Sequence, residues 1–400
     1  MAKTPFIPKE QIGVGGFKIG AAERRYLDEV IESSRLSYGP MTQRFEARFA
    51  AAHDCKYAVF CNSGTSALHI ALAVLKERGG WSDGDEVIVP ALTFIASSNV
   101  VFHNGMRPVF VDVEPDTYTL DPAKIHERIT SRTRAILPVH LFGQPAGMEG
   151  IWEVAREHGL VIFEDSAETM FARYKGRSVG TLGEIGCFST YVAHLLVTGV
   201  GGFATTNDDE LAVMLKSSMN HGRDSIYLNI DDDKGKSGDQ LFNIVEKRFK
   251  FVRLGHSFRC TELEAAIGLG QMEQSEYFLA RRRAIAQRYM ERLADLEEVL
   301  QLPHPRPDRT HSYMMFPVVV RKEPKWDLVR FLEERMIETR EMMPLLNQPV
   351  YRSLFGDIED QYPVSRWINE SGFYVGCHPY LLDEEVDYIA ACIREYFGCQ

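Results

Sequence analysis

Short apolar runs separated by amphipathic stretches set the architecture of this chain. Apolar runs fall at residues 57–61, 86–90, 109–112, 135–139, 160–164 and 185–188, lengths that suit strands better than helices. Helical patterns lie between several of them; over 65–75, for example, Leu68, Ala71, Leu72 and Leu75 share one face. Residues 22–37 read as a helix, followed by a Tyr38-Gly39-Pro40 turn. Strands apolar on both faces, alternating with helices, predict an α/β protein with a mostly parallel sheet covered on both sides.

Beyond residue 224 the pattern changes. Residues 224–250 are charged and loop-like, centred on Asp231-Asp232-Asp233-Lys234-Gly235-Lys236-Ser237-Gly238. Two readings suit that length: a solvated surface insertion, or a loop that closes over substrate. A long helical stretch over 261–296 then bridges to a C-terminal part, with a strand over 315–320 and helices over 326–336 and 383–396.

Composition narrows the function classes. A chain of 400 residues has room for two packed domains. Its net charge of -11, from 45 Lys+Arg against 56 Asp+Glu, argues against nucleic-acid or anionic-membrane binding while leaving room for a local basic pocket. The opening Met1-Ala2-Lys3-Thr4-Pro5-Phe6 lacks a signal-peptide apolar region, and no apolar run is long enough to span a bilayer, so a cytoplasmic location is expected. Seven scattered cysteines, none in a C-x-x-C pair, give no zinc or disulfide framework, and no metal is expected.

The candidate chemistry sits at strand ends. Cys61-Asn62-Ser63-Gly64-Thr65-Ser66-Ala67 joins a strand to a helix through glycine, aiming free N–H groups and the positive helix end at an anion. Standing alone, most such corners bind nothing. Glu164-Asp165-Ser166-Ala167-Glu168 ends another strand, where α/β ligands bind, although helix N-capping is the ordinary use of such an aspartate. Val89-Pro90-Ala91-Leu92-Thr93-Phe94 carries an aromatic past a third strand end, by default a core ring. Phe188-Ser189 closes a fourth and leads through His194 to Gly201-Gly202.

In their order along the chain, and together with His140-Leu141-Phe142-Gly143-Gln144-Pro145, Asn220-His221-Gly222-Arg223 and Gly255-His256-Ser257-Phe258-Arg259, these segments resemble the DegT/DnrJ/EryC1/StrS sugar aminotransferase family over about residues 20–395. The resemblance implies the aspartate aminotransferase type of fold (fold type I) and a homodimer with active sites at the subunit interface. It divides the chain into an N-terminal arm (1–20), a large cofactor-binding domain (21–275, with 224–250 as an active-site loop insertion) and a small C-terminal domain (276–400). It implies pyridoxal 5'-phosphate (PLP) or its amine form, pyridoxamine 5'-phosphate (PMP), as cofactor. Gly64, Thr65, Ser66 and Ser189 would contact its phosphate, Asp165 its pyridine nitrogen, and Phe94 its ring face. Ser257 stands where the family carries an asparagine that reaches the partner's cofactor phosphate. Asn220, Arg259, His311 and His378 are the implied substrate contacts.

Two positions depart from the aminotransferase pattern. His194 replaces the lysine that carries PLP covalently; imidazole has no primary amine, but it moves protons near neutral pH. Glu168 stands where glutamine is usual. A 3-dehydratase branch of the family combines both departures, holds its cofactor non-covalently, and removes the C3 hydroxyl of a nucleotide-linked 4-keto-6-deoxyhexose, with the histidine as proton-transfer base. Arg248-Phe249-Lys250-Phe251 and Val375-Gly376-Cys377-His378 resemble the members of that branch that need no iron–sulfur cluster and act on a GDP-linked sugar, which implies a GDP-linked substrate; Val200 departs from a glutamate common before the Gly-Gly pair. The alternatives are a glutamate-dependent nucleotide-sugar aminotransferase, with Lys175 or Lys250 reaching the ring, and a catalytically inactive regulatory homologue that binds PMP or a nucleotide sugar.

Overall fold

Alternating strands and helices in the first half build one seven-stranded sheet. The computed structural model describes residues 6–37, 39–224 and 233–399. Two helices, α1 (Ala21–Ser33) and α2 (Pro40–Ala52), precede β1 (Tyr57–Cys61), α3 (Gly64–Gly79), β2 (Glu86–Pro90), α4 (Ile95–His103) and β3 (Arg107–Val111). Then come β4 (Thr133–Ile136), α5 (Met148–His158), β5 (Val161–Asp165), a small hairpin of β6 (Arg173–Tyr174) and β7 (Arg177–Ser178), β8 (Ile185–Ser189), β9 (Gly202–Thr206) and α6 (Asp209–Met219). The sheet order is β1-β9-β8-β5-β4-β2-β3. Strands β3, β2, β4, β5 and β8 run parallel, so their carboxyl ends share one edge; β9 runs antiparallel between β8 and β1.

Strand β9 is absent from the apolar-run reading, because it opens on glycine and ends on two threonines. Its placement matters, since Gly202 pairs with both Cys61 and Ser189 and draws those two strand ends together. Helix α1 ends at Ser33, earlier than expected, where Ser34 takes a left-handed conformation (φ 54°). Of the expected turn after it, Gly39 caps α2 and Pro40 opens it, while Tyr38 lies outside the described residues.

The 224–250 stretch is not simply loop-like. It contains α7 (Gly238–Lys247), whose Ile244 is buried; Asp231 and Asp232 lie outside the described residues. The stretch over 261–296 is two helices, α8 (Glu262–Glu273) and α9 (Ser275–Leu293), broken at Gln274 by a non-helical ψ of 2°.

The C-terminal part adds a four-stranded antiparallel sheet. Strands β10 (Leu300–Gln301), β11 (Phe316–Val320), β12 (Arg340–Glu341) and β13 (Gly372–Val375) order as β10-β11-β13-β12. Ile285, Tyr289 and Leu293 of α9, with Val386, Ile389 and Ile393 near the C-terminus, bury one face of this sheet in a core of its own. The N-terminal segment is tied to it: Ile12 bridges Ile337, and Val14 N–H donates to Glu338 at 2.7 Å.

Candidate active site

A cavity of about 430 Å³ opens at the carboxyl edge of the parallel strands, where doubly wound sheets bind ligands. Gly64, Thr65, Phe94, Asp165, Glu168, Ser189 and His194 all line it. Residues from the C-terminal part, Met314, Met315, Met343 and Tyr374, close the far wall, and Val14 arrives from the N-terminal segment.

One end is shaped for an anion. Ser63 caps α3, its hydroxyl oxygen accepting the Ser66 N–H at 3.0 Å, which leaves the first helical turn facing the cavity. A Cβ on Gly64 would come within 2.7 Å of the Ser189 Cβ, and one on Gly202 within 2.5 Å of the Gly64 nitrogen. The backbones can approach only because both residues are glycine. Ser66 itself is buried behind this turn and is not on the cavity wall.

At the centre, Asp165 ends β5. Its Oδ2 accepts from the Ser97 hydroxyl at 2.6 Å and its Oδ1 from the Ala167 N–H at 3.1 Å. Burial pushes its pKa up, and these two donors oppose the rise. Phe94, the residue before α4, presents a ring that is 58% exposed, a flat apolar face rather than a core ring.

Glu168 and His194 flank the same space. Glu168 accepts the Phe142 N–H at 2.9 Å, and burial lifts its pKa to about 8, so it is chiefly a neutral acid at pH 7. His194 Nδ1 lies 2.5 Å from the Ala167 carbonyl oxygen, which can only accept; Nδ1 therefore carries the proton and Nε2 is left as the basic nitrogen. Burial lowers the His194 pKa to about 4, so the ring is neutral near pH 7.

Several supporting residues had no role assigned from the sequence, although Glu164 and His140 lie within the motifs. Glu164, beside Asp165, is fully buried and accepts N–H groups of Gly180, Leu182 and Gly183, each at 2.7 Å. It also meets His140 Nε2 at 3.0 Å, while His140 Nδ1 accepts from the Ala146 N–H. The 140–146 loop is thereby fastened to the β5 end. Ser97 had no local signature, because a helical serine is unremarkable until the fold sets it against Asp165.

The structure leaves other expected residues outside the cavity. Asn220 and Ser257 pair as an isolated bridge, Arg259 donates to the Ser257 hydroxyl at 3.0 Å, and Arg259 bridges Cys61 in the backbone; this group sits beside the anion-shaped turn. His311 stacks on Tyr313, and its Nδ1 accepts the Tyr313 N–H. His378 packs against the N-terminal segment, with Nε2 3.2 Å from the Gly13 carbonyl. Burial holds both histidines low, His311 to about 3 and His378 to about 4. Lys175 pairs with Glu149 at 2.6 Å and Lys250 with Asp224 at 3.1 Å, and neither lines the cavity. Among the described residues, the group best placed to share a metal ion is the exposed His126, Glu157 and His158, also away from the cavity.

Comparison with known proteins accounts for this arrangement. The model of the DegT/DnrJ/EryC1/StrS aminotransferase family matches residues 18–394. The chain belongs to this family. It is 34% identical over 390 residues to a GDP-perosamine synthase of Caulobacter vibrioides, covering 96% of this chain and 98% of that one. It is 32% identical to a dTDP-4-dehydro-2,6-dideoxy-D-glucose 3-dehydratase of Saccharopolyspora spinosa, over 94% of this chain and 84% of the relative. Among solved structures, the Escherichia coli GDP-4-keto-6-deoxy-D-mannose-3-dehydratase with bound hydrated PLP superimposes with a TM-score of 0.86 at 26% identity, over 96% of this chain and 99% of that one. The architecture is the fold type I of PLP-dependent enzymes, and PLP or PMP is the cofactor of the family. The residues here fit that group: a cradle without room for a methyl at the phosphate end, a buried carboxylate for the ring nitrogen, and an exposed aromatic face beside it. No described helix is long and apolar enough to cross a membrane.

Proposed function

We propose that this protein is a PMP-dependent 3-dehydratase of a nucleotide-linked 4-keto-6-deoxyhexose in deoxysugar biosynthesis. The observation that carries the reading is His194. At the family's lysine position the cavity wall offers an imidazole with Nδ1 tied to a carbonyl and Nε2 free to accept, and no lysine among the described lining residues. Held non-covalently, PMP would supply the primary amine that condenses with the sugar's 4-keto carbon with loss of water, and the two electrons that replace the C3 oxygen; it would end as PLP, with hydrolysis returning the 4-keto group and releasing the nitrogen as ammonia. His194 Nε2 takes the proton from the carbon bearing that amine. Glu168, neutral at pH 7, donates a proton to the C3 hydroxyl so that it departs as water. Asp165 holds the ring nitrogen protonated, and the α3 turn with Ser189 grips the phosphate.

A GDP-linked sugar is favoured by the GDP in the names of the Caulobacter relative and the Escherichia coli structure. Asn220, Ser257 and Arg259 lie beside the cradle yet off this chain's cavity wall, a placement that suits service to a partner's site in a homodimer. Leu254, 98% exposed, and Phe249 stand nearby as apolar surface for such a partner.

The test is incubation with PMP and GDP-4-keto-6-deoxymannose, read by mass spectrometry. The expected product has lost the C3 oxygen, and borohydride treatment leaves PLP unattached. The 34% identity to a GDP-perosamine synthase supports a second reading, the aminotransferase. A 4-amino sugar that appears only with glutamate, or PLP reduced onto a lysine, would establish that reading instead. Binding of PMP and nucleotide sugar without turnover of either kind would point to a regulatory homologue.

A further inference from the structure

Behind the cavity lies a cation with no counterion. Arg282 of α9 is 2% exposed, and the hydrogen bonds it makes all go to main-chain carbonyls. One terminal nitrogen donates to Met314 O at 2.6 Å, Cys377 O at 3.0 Å and Tyr313 O at 3.3 Å; the other donates to His194 O at 3.2 Å. Its Nε is buried without a partner, and no salt bridge to Arg282 is present among the described residues. A guanidinium stripped of water and left without a carboxylate is costly to fold. A surface stabilised by ordinary packing has no need of it.

The carbonyls it gathers explain the placement. They come from three separate segments: the loop that carries His194, the lead into β11 that supplies Met314 to the cavity wall, and the exit from β13. The planar fork of arginine reaches all of them at once, as a lysine ammonium on a single flexible stem does not. The loop has local ties as well. The hydroxyls of Thr190 and Thr198 meet at 2.6 Å, and Thr198 donates to Val200 O at 2.7 Å. These ties hold its ends. His194 itself is held at three points: its N–H donates to Tyr191 O at 2.9 Å within the loop, while its carbonyl accepts from Arg282 and its ring meets the Ala167 carbonyl, the two ties that reach outside the loop.

We infer that Arg282 is the positioning residue of His194: it fixes the histidine's backbone to the C-terminal wall, so that the ring keeps Nδ1 on Ala167 and presents Nε2 to the cavity. The inference rests on the proton-transfer role given to His194 above, but its geometric content stands apart from which reaction is catalysed. A second effect follows from the charge. The titratable groups around His194 are Asp165, Glu168, Tyr191 and Tyr374 on the cavity wall, with Arg282 behind them. Arg282 is the cation of this set, and its charge adds to burial in disfavouring the imidazolium.

The experiment pairs Arg282→Lys, which keeps the charge but loses the fork, with Arg282→Met, which loses both. Each variant is checked for folding by circular dichroism and for PMP binding. Histidine-selective NMR titration, assigned with His194→Asn, then follows the His194 ring. In Arg282→Met its pKa is expected to rise, and in Arg282→Lys to stay near the parent value. In both variants the Nδ1 proton signal should lose its protection from exchange with water. Turnover of GDP-4-keto-6-deoxymannose should fall at least about tenfold in kcat, with KM and PMP affinity within a few-fold of the parent. An unmoved His194 titration and an unchanged, protected Nδ1 proton in folded variants would overturn the inference, whatever reaction the enzyme runs. Loss of folding in both variants would also overturn it, marking Arg282 as a residue of general stability. If the parent protein shows no dehydratase turnover, the NMR arm alone decides the positioning claim, and the failure belongs to the reading of the reaction.

Discussion

Ser97 donates its hydroxyl to Asp165 Oδ2 at 2.6 Å from one turn into the helix that begins just after Phe94. A single short helix thus orients both the aromatic face and the carboxylate offered to the cofactor ring. Thr93 extends the chain, its hydroxyl 2.8 Å from that of Ser97.

Removing this donor should weaken the cofactor's grip without unfolding the site. Ser97→Ala leaves Asp165 buried with one donor fewer, which raises its pKa further and makes the anion harder to keep. Hydrogen bonds to charged groups contribute about 1.5–3 kcal/mol, so PMP affinity is expected to fall by roughly tenfold or more. Fluorescence titration with PMP checks this, and an affinity unchanged from the parent would remove Ser97 from the site.

The two glycines at the phosphate end allow a sharper test. An alanine at residue 64 brings its methyl within 2.7 Å of the Ser189 Cβ. Gly64→Ala should cost about 1–3 kcal/mol of stability from overpacking and abolish PLP binding, because the helix turn must retreat from Ser189. Thermal unfolding measured with and without PLP separates the two effects: the parent gains stability on binding and the variant does not.

Glu168 carries a stability signature with a definite sign. Its folded pKa, about 8, lies above the ordinary carboxylate value, so its contribution is complete below about pH 4.5 and is lost as pH rises through 8. Glu168→Gln removes that dependence. Relative to the parent, the variant should gain up to a few kcal/mol in the apoprotein between pH 5 and pH 9, measured by urea denaturation at the two values.

The buried histidines act in the opposite direction. Burial holds His53, His194 and His378 near 4, and His311 near 3, below the ordinary histidine value of about 6.5. The stability they confer is present above pH 6.5 and is lost as pH falls towards 4, where the unfolded chain takes up protons that the folded one refuses. Urea midpoints should therefore drop steeply over that interval, and His53→Phe, at a ring stacked between Phe49 and Phe171, should flatten the slope.

Much of this arrangement was written locally in the chain. Strands 57–61 and 86–90 and the helix Asp383–Tyr396 coincide with their apolar patterns, because each is set by burial along a short continuous segment. Seven of the expected site residues meet in one cavity for a related reason: the carboxyl ends of parallel strands must share an edge. What escaped depends on partners distant in the chain. Strand β9 offers few large apolar residues and exists by pairing with two neighbours. The break at Gln274 interrupts an otherwise helical pattern, and its side chain bonds to Glu23 at 3.2 Å, across some 250 residues. Ser97, Arg282 and the methionine wall show no motif, since their meaning comes only from what the fold sets opposite them. His311 and His378 matched segments near the family's pocket, yet here both rings are turned to neighbours outside the cavity.

The tie between His194 Nδ1 and the Ala167 carbonyl also limits where a captured proton can go. An amide oxygen is too weak a base to receive it, so the imidazole is no link in a wire to bulk water. A proton taken up on Nε2 has to leave by the same nitrogen. The ring therefore keeps a closed account with the cavity, and a hydrogen lifted from one carbon remains at hand for whichever atom next occupies that place.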